Sequence, residues 1–505
     1  MGIGVTRHPE RPASAVLPLR CARVGSALLV HDGIEVDAAT RAFAEQLAAE
    51  PGRTAVVADV DPGTPPTSWE TVAEAIATAE GTPRLIPSQR SRISTVPAGI
   101  WLAERIGREV IAHEGRASTA ADGALFVPAA AGRGWLRFLP GIEEPVVFSR
   151  RFPTPAWEGP AFTEARVLAE DLVAEPVPAG VWIHAAAESE RSRVYRKWLI
   201  TGLPGSADAP RAVIGHPGAA PVPIGRIAAF WHRLPGPARP GVRFDAFGPV
   251  QTLSGQPVGA DFGQQLADLL GTTVLTGVGV RVRVGPRDVR VLLPEGAMSW
   301  TPYLTEVAHQ PRKYTGGVAA GPDPVRARSP IPGVAELEPG VFRFSPEAVL
   351  EVTQSGLWLR PPGAARSAAD TAMRSRPPQP ETAWLWYEPG LGDLAGQARW
   401  RLGPGQQALF QLREAEPVDQ RTEIDPAGIT ETAGPTAPVT ETAGPRALAS
   451  RPEVAAGLDV ALAGPAEAEA QTEAEAEAEA EAEAEAEAEG AYDDAPDPHA
   501  PAESG

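Results

Sequence analysis

Five polar residues between positions 184 and 256 could meet at one end of a parallel sheet. His184 and His216 stand just after the short apolar runs Val181-Trp182-Ile183 and Ala212-Val213-Ile214, and Asp245 follows Arg243-Phe244. Ser254 and Gln256 lie in the Gly- and Pro-containing loop beyond Phe247. In open parallel sheets ligands bind beyond the carboxyl ends of the strands, so these residues form the best pocket candidate in the chain. An imidazole, a carboxylate and a hydroxyl within hydrogen-bond reach would suit a hydrolase or transferase. That reading requires one active copy, residues 178–296, of a unit the chain repeats.

The repeat is visible in identities at a constant offset. Leu102-Ala103, Gly107, Val110 and Gly115 are matched by Leu266-Ala267, Gly271, Val274 and Gly279, each pair 164 positions apart. Leu and Ile or Leu four residues apart make one helical face, Gly takes the left-handed position that ends the helix, and an apolar pair then opens a strand. Upstream, Leu28-Leu29-Val30-His31 corresponds to Val181-Trp182-Ile183-His184, and Ala55-Val56-Val57 to Ala212-Val213-Ile214. Asp37 and Ser189 are placed to cap the helices between them, with Phe43 and Leu47 on one buried face and Val194 and Trp198 on the other. A third, incomplete copy follows: Gly356-Leu357-Trp358-Leu359-Arg360 parallels Gly180 to His184, and Trp384 to Gly390 parallels the second strand and its turn.

Strands alternating with helices of about ten residues predict three-layer α/β units with mostly parallel sheets. The predicted organisation is an N-terminal extension (1–23), a first repeat (24–140), a linker (141–177), a second repeat (178–296), a linker (297–333), an incomplete third repeat (334–416) and a tail (417–505). Half an α/β unit leaves an apolar sheet face open, so the third copy is expected to pack against the second or against a partner.

Set beside one another, the copies weaken the catalytic reading. The first strand ends in His31, His184 and Arg360 in turn, and a single proton-transfer task is not exchanged between His and Arg. The next turn reads Asp61-Pro62-Gly63, His216-Pro217-Gly218 and Glu388-Pro389-Gly390. Pro fixes φ at the first corner and Gly supplies positive φ at the second, so the conserved part is turn chemistry. Asp59-Val60-Asp61 resembles a metal-binding pair, but the other copies lack both carboxylates; no metal and no cofactor are expected. There is no phosphate loop, no Gly-x-Ser-x-Gly elbow and no His-Glu-x-x-His. Cys21 is the only cysteine and lies in the alternating run Leu17, Leu19, Cys21, which predicts a buried strand thiol and excludes intrachain disulfides.

Within this frame, the segment Asp261 to Val280 resembles a helix-Gly-strand signature of large repeat-built α/β proteins of unassigned function in high-GC bacteria, some near polymorphic-toxin or secretion genes. The resemblance implies an α/β fold and a non-catalytic member. Toxin-like relatives would carry a reactive cysteine or serine ahead of this helix, whereas here there is no cysteine and Ser254 has no defined partner.

The formal charge of −19 belongs entirely to residues 417–505, which hold 22 Asp and Glu against Arg421, Arg446 and Arg451. From Glu473 to Glu489 the tail is a Glu-Ala alternation. Both residues favour helix, but Glu at every second position sets like charges at i and i+4, and no large apolar side chain is available to bury; the tail is expected to stay disordered. Arg191, Arg193, Arg196 and Lys197, with Tyr195 and Trp198 between them, suggest a nucleic-acid surface, but Glu188 and Glu190 one turn earlier neutralise much of it. No run approaches the ~18 apolar residues of a membrane span, and no signal-peptide core opens the chain.

These observations favour a cytoplasmic, non-enzymatic interaction or scaffold protein with a protein partner, no membrane association and no nucleic acid. The alternatives are the hydrolase or transferase described above and an acidic-tail decoy for a basic partner.

Overall fold

Three sheets, each laid out in the order of the chain, make the framework. The first contains strands Arg20–Val24, Ala27–His31, Arg53–Asp59, Thr82–Pro87, Val110–Glu114, Gly134–Phe138 and Val146–Ser149. The second contains Arg166–Ala169, Leu172–Val177, Gly180–Ala185, Arg211–Ile214, Arg243–Ala246, Val274–Gly277, Leu304–His309 and Asp323–Ala327. The third contains Glu336–Glu338, Val341–Arg343, Val349–Thr353, Gly356–Arg360, Ala383–Tyr387 and Phe410–Glu414. Three smaller sheets of two or three strands fill in the loops. This is a computed structural model, and it describes residues 19–31, 36–60, 68–88, 95–283, 289–293, 296, 298–313, 321–363 and 367–415. All fall in the unit Met1–Ile429; the second unit, Thr430–Gly505, and the whole 417–505 tail, with its expected disorder, lie outside the described residues.

The sheets are mixed rather than mostly parallel. Three consecutive parallel pairings run through the middle of the first sheet and of the second, and two lie in the third. Antiparallel strands flank them. Parallel neighbours need a long crossover, which the helices supply, whereas strands joined by tight hairpins are antiparallel by construction. The flanking strands come largely from stretches read as linkers: Val146–Ser149 and Leu172–Val177 within 141–177, and Leu304–His309 and Asp323–Ala327 within 297–333.

Helices cover both faces of the first two sheets. In the first, Val72 and Ile76 of helix Ser68–Ala77 and Leu102 of helix Thr95–Ile106 pack on Val30, Val56, Leu85 and Val110. Ala44 of helix Ala38–Gln46 packs on Leu29, Val57 and Ile111 from the other side. In the second, helices Ile224–Arg233 and Phe262–Leu270 cover Val181, Ala212, Ile214 and Phe244, and helix Glu190–Gly202 lies on the opposite face, with Trp198 stacked on Phe247. Each fully buried Val, Leu or Ile contributes about 1.5–3 kcal/mol relative to exposure, so these two-sided contacts are what hold the short parallel strands in place.

Local signals set the helix ends. The Asp37 carboxylate accepts from the Thr40 N–H, and Ser189 forms a reciprocal capping box with Ser192. Gly107 and Gly271 take φ of +66° and +64° at the helix C-termini, where a side chain would be strained. A further pair marks the closest helix-to-sheet approach. A Cβ at Gly99 would sit 2.7 Å from the Phe138 ring, and one at Gly263 would sit closer still to the His309 ring.

One face of the third sheet is covered from within the chain. Leu350, Leu357, Leu385 and Phe410 share a core with Leu304 and Val307 of the second sheet, and Ala395 and Ala398 of helix Gly392–Arg401 close it. Among the described residues its last strand, Phe410–Glu414, is paired on one side only.

Two burial expectations are corrected. Cys21 does lie in a strand but is exposed, because among the described residues Arg20–Val24 is the edge strand of its sheet with one neighbour. Val194 is 39% exposed, and it is Tyr195, Leu199 and Ile200 that join Trp198 on the buried face. No helix among the described residues is long and apolar enough to cross a membrane.

Candidate functional site

His184 and His216 come together around Trp182. Strand Gly180–Ala185 points Trp182 and His184 to the same face, two residues apart, and their rings stack with centroids 3.6 Å apart. The Trp182 indole donates to the Gly215 carbonyl at 2.7 Å, tying the first strand to the corner after the second. His216 opens that corner: Ala219 N–H donates to the His216 carbonyl, and Gly218 takes φ +74°, the geometry of a type II turn. The His216 ring stacks on Tyr195 of the covering helix at 5.0 Å, and its Nδ1 lies 3.0 Å from the Pro217 carbonyl. Burial, reinforced by His184 and Arg191 nearby, pushes the His216 imidazole below its ordinary value despite that backbone contact.

The partner of His184 is a residue that sequence reasoning did not single out. Glu175, opposite Trp182 on the adjoining strand, places Oε2 3.1 Å from His184 Nε2, while His184 Nδ1 lies 2.8 Å from its neighbour's carbonyl. Arg196, from helix Glu190–Gly202, donates to both Glu175 oxygens at 2.9 Å and to Glu188 at 2.5 Å. Burial alone would raise the Glu175 carboxyl, but the hydrogen bonds from His184 and Arg196 outweigh it and hold it below the usual range. With both ring nitrogens engaged and only 3% of the residue exposed, His184 is built into the sheet rather than presented to a substrate. Arg196, one of the basic residues weighed as a nucleic-acid surface, faces the same carboxylates.

Asp245 belongs to a different cluster. Arg211 donates to both of its oxygens, at 3.0 and 2.8 Å, and to Glu306 at 2.7 Å; Arg243 reaches the other Glu306 oxygen at 3.1 Å. A cavity of about 120 Å³ opens beside this network, walled by Arg211, Asp245, Arg281, Arg326 and the loop 203–208. His184, His216, Ser254 and Gln256 do not line it. Ser254 and Gln256 are exposed and bond within their own turn, Ser254 Oγ to Thr252 Oγ1 at 2.9 Å and Gln256 N–H to Thr252 Oγ1 at 3.0 Å. Of the five sequence-selected residues, the structure therefore groups the two histidines, places Asp245 in an ion-pair network, and leaves Ser254 and Gln256 at the surface.

The third sheet carries the same arrangement with other residues. Glu351 stands opposite Trp358 as Glu175 stands opposite Trp182. Arg360 donates to Glu351 Oε2 at 2.7 Å where His184 meets Glu175, in both cases across nine residues of hairpin. Arg374, from helix Ala368–Arg374, donates to Glu351 Oε1 at 2.5 Å in the role of Arg196. The Trp358 indole donates to Glu388, the residue that opens the turn closed by Leu391 N–H, with Gly390 at φ +86°. In the first sheet the carboxylate is missing. Ala22 stands opposite Leu29, and the buried His31 Nδ1 has no hydrogen-bond partner among the described residues.

The recurring Glu at the centre of the preceding strand was the available signal for these networks, since Glu175 and Glu351 sit nine residues before His184 and Arg360. Of the possible metal pair, Asp59 accepts from Ser88 Oγ at 2.5 Å, and Asp61 lies outside the described residues. Among the described residues no group of three or more His, Cys, Asp or Glu is placed to hold a metal ion. No protein-family model, no curated protein and no solved structure matches this chain.

Proposed function

We propose that this chain is a non-enzymatic interaction or scaffold protein, acting in the cytoplasm, built from divergent α/β repeats over 24–140, 178–296 and, incompletely, 334–416, with 417–505 as an acidic appendage. One observation carries the reading. At the same corner of two sheets a buried Glu holds a strand-end basic side chain and a helix Arg, yet that side chain is His184 in one and Arg360 in the other. Reactivity differs between the two and the fastening is the same, which favours selection for shape.

Register supports the duplication. Gly99 and Gly263, 164 positions apart like the identities in the sequence, each make room for a ring from the strand that follows the last parallel one. Gly180 and Gly356 each open their strand with a positive φ that lets the next strand's carbonyl approach closely. Divergent loops on a repeated frame suit the display of binding surface better than a single tuned site.

Affinity capture from the native host, with the full chain and with a chain lacking 417–505, tests the proposal. A protein recovered in stoichiometric amount, and reconstituted from purified components, supports it; dependence of that recovery on 417–505 assigns the contact to the tail. Failure to reconstitute any complex contradicts it.

A further inference from the structure

Next to the cavity of the second sheet, charge stands where the first sheet carries an aromatic plug. The pairing of Ile111 with Arg137 and of Leu275 with Ala308 puts Trp135 and Glu306 at corresponding positions, and Arg84 at the position of Arg243. In the first sheet Trp135 is fully buried, with the Arg84 guanidinium 3.9 Å from its ring and 4.6 Å from that of Phe152. In the second sheet Glu306 takes that place and gathers Arg211, Arg243 and, at 3.8 Å, Arg326. A carboxylate fills less space than an indole, and Arg211, which donates to Glu306, lines the cavity of about 120 Å³.

The charged side chains that line this cavity do not balance: Arg211, Arg281 and Arg326 face Asp208 and Asp245, which Arg326 and Arg211 already engage. Arg281, on strand Val280–Arg283, lines the cavity and has no hydrogen-bond or ion-pair partner among the described residues. Burial and the neighbouring Arg211 push its guanidinium below its ordinary value, against the opposing pull of Asp245 and Glu306. A guanidinium presents its donors in a fixed planar fork that matches carboxylate and phosphate oxygens.

The geometry points to a binding site for a small oxyanion, a phosphate or carboxylate group, held by Arg281 with Arg326 beside it. The volume accommodates such a group or a few waters, well short of the roughly 300 Å³ or more of pockets that enclose whole cofactors. The site is independent of the scaffold reading, and its failure would leave that reading intact.

Isothermal titration of the full chain with inorganic phosphate, at constant ionic strength set with chloride, tests the inference. Acetate in a second titration distinguishes a phosphoryl from a carboxylate preference. The expected result is saturable binding of one anion per chain, weakened about tenfold or more in Arg281→Gln through loss of a charge-assisted hydrogen bond. The half-exposed Arg326 allows a milder second variant, Arg326→Gln, expected to weaken binding severalfold, while Arg166→Gln on the far edge strand leaves it unchanged. Absence of saturable binding of either anion to the wild type, or equal affinity in both Arg281→Gln and Arg326→Gln, would overturn it.

Discussion

Two buried histidines should make the body lose stability on mild acidification. His113 and His309 are each 6% exposed. Burial lowers both to about 4, with the Gly115 carbonyl opposing the effect at His113. Unfolded, each would return to an ordinary value near 6.5. A folded-state pKa below the unfolded one means that the unfolded chain takes up the proton first, so stability falls as pH drops from about 6.5 and stops falling below about 4. At pH 5 the loss works out at about 2 kcal/mol for each histidine, or about 4 kcal/mol for the two, relative to pH 7.5. Buried carboxylates act in a lower window. Glu50, Glu175 and Glu306 are all held below their ordinary value by neighbouring arginines, with His184 adding to the effect at Glu175, so the stability they supply is kept above about 4.5 and lost beneath it. Urea unfolding followed by tryptophan fluorescence at pH 7.5 and 5.0 reads the difference, with His113→Gln and His309→Gln each removing one share. Equal stability of the wild type at the two pH values, or an undiminished loss in the double variant, would refute the reasoning.

Three other outcomes are expected. Glu351→Ala removes the carboxylate paired with Arg360, whose side chain is 7% exposed, leaving it the Pro361 and Gly363 carbonyls, and should cost about 3–5 kcal/mol in urea unfolding. Gly99→Ala and Gly263→Ala each drive a methyl into a buried ring, and each should cost about 1–3 kcal/mol by the same assay; a cost at only one would argue against equivalent packing. A peptide spanning Glu473 to Glu489 should gain helix by circular dichroism between pH 7 and pH 3, as protonation removes i,i+4 repulsions worth a few tenths of a kcal/mol each.

The sequence revealed the central strands and helices because they obey local rules. Val181-Trp182-Ile183 and Ala212-Val213-Ile214 are continuous apolar runs covered on both faces, and Asp37, Ser189 and Gly271 mark helix ends through contacts within a few residues. The edges were illegible for a matching reason. Arg166–Ala169 and Asp323–Ala327 are short, half-exposed and charged, as edge strands commonly are, and read as linker. The same one-sidedness exposes Cys21. At the candidate site, strand ends identified His184, His216 and Asp245 as neighbours of a shared corner. What separates them is face: Trp182 and Tyr195 hold the two imidazoles, while Arg211, itself tied to Glu306 95 residues on, holds Asp245. Long-range ion pairing of that kind leaves no local trace, although Glu175 and Glu351 at equal spacing from His184 and Arg360 were a usable one.

The claim that equivalent corners are fastened alike and carry no catalytic demand is tested most directly by writing one copy's solution into the other. In His184→Arg, Glu175 would meet an arginine as Glu351 does, beside a tryptophan as Arg360 is beside Trp358. The account predicts an unfolding free energy within about 1 kcal/mol of the wild type. A loss of about 3 kcal/mol or more, the cost of a broken buried pair, would contradict it.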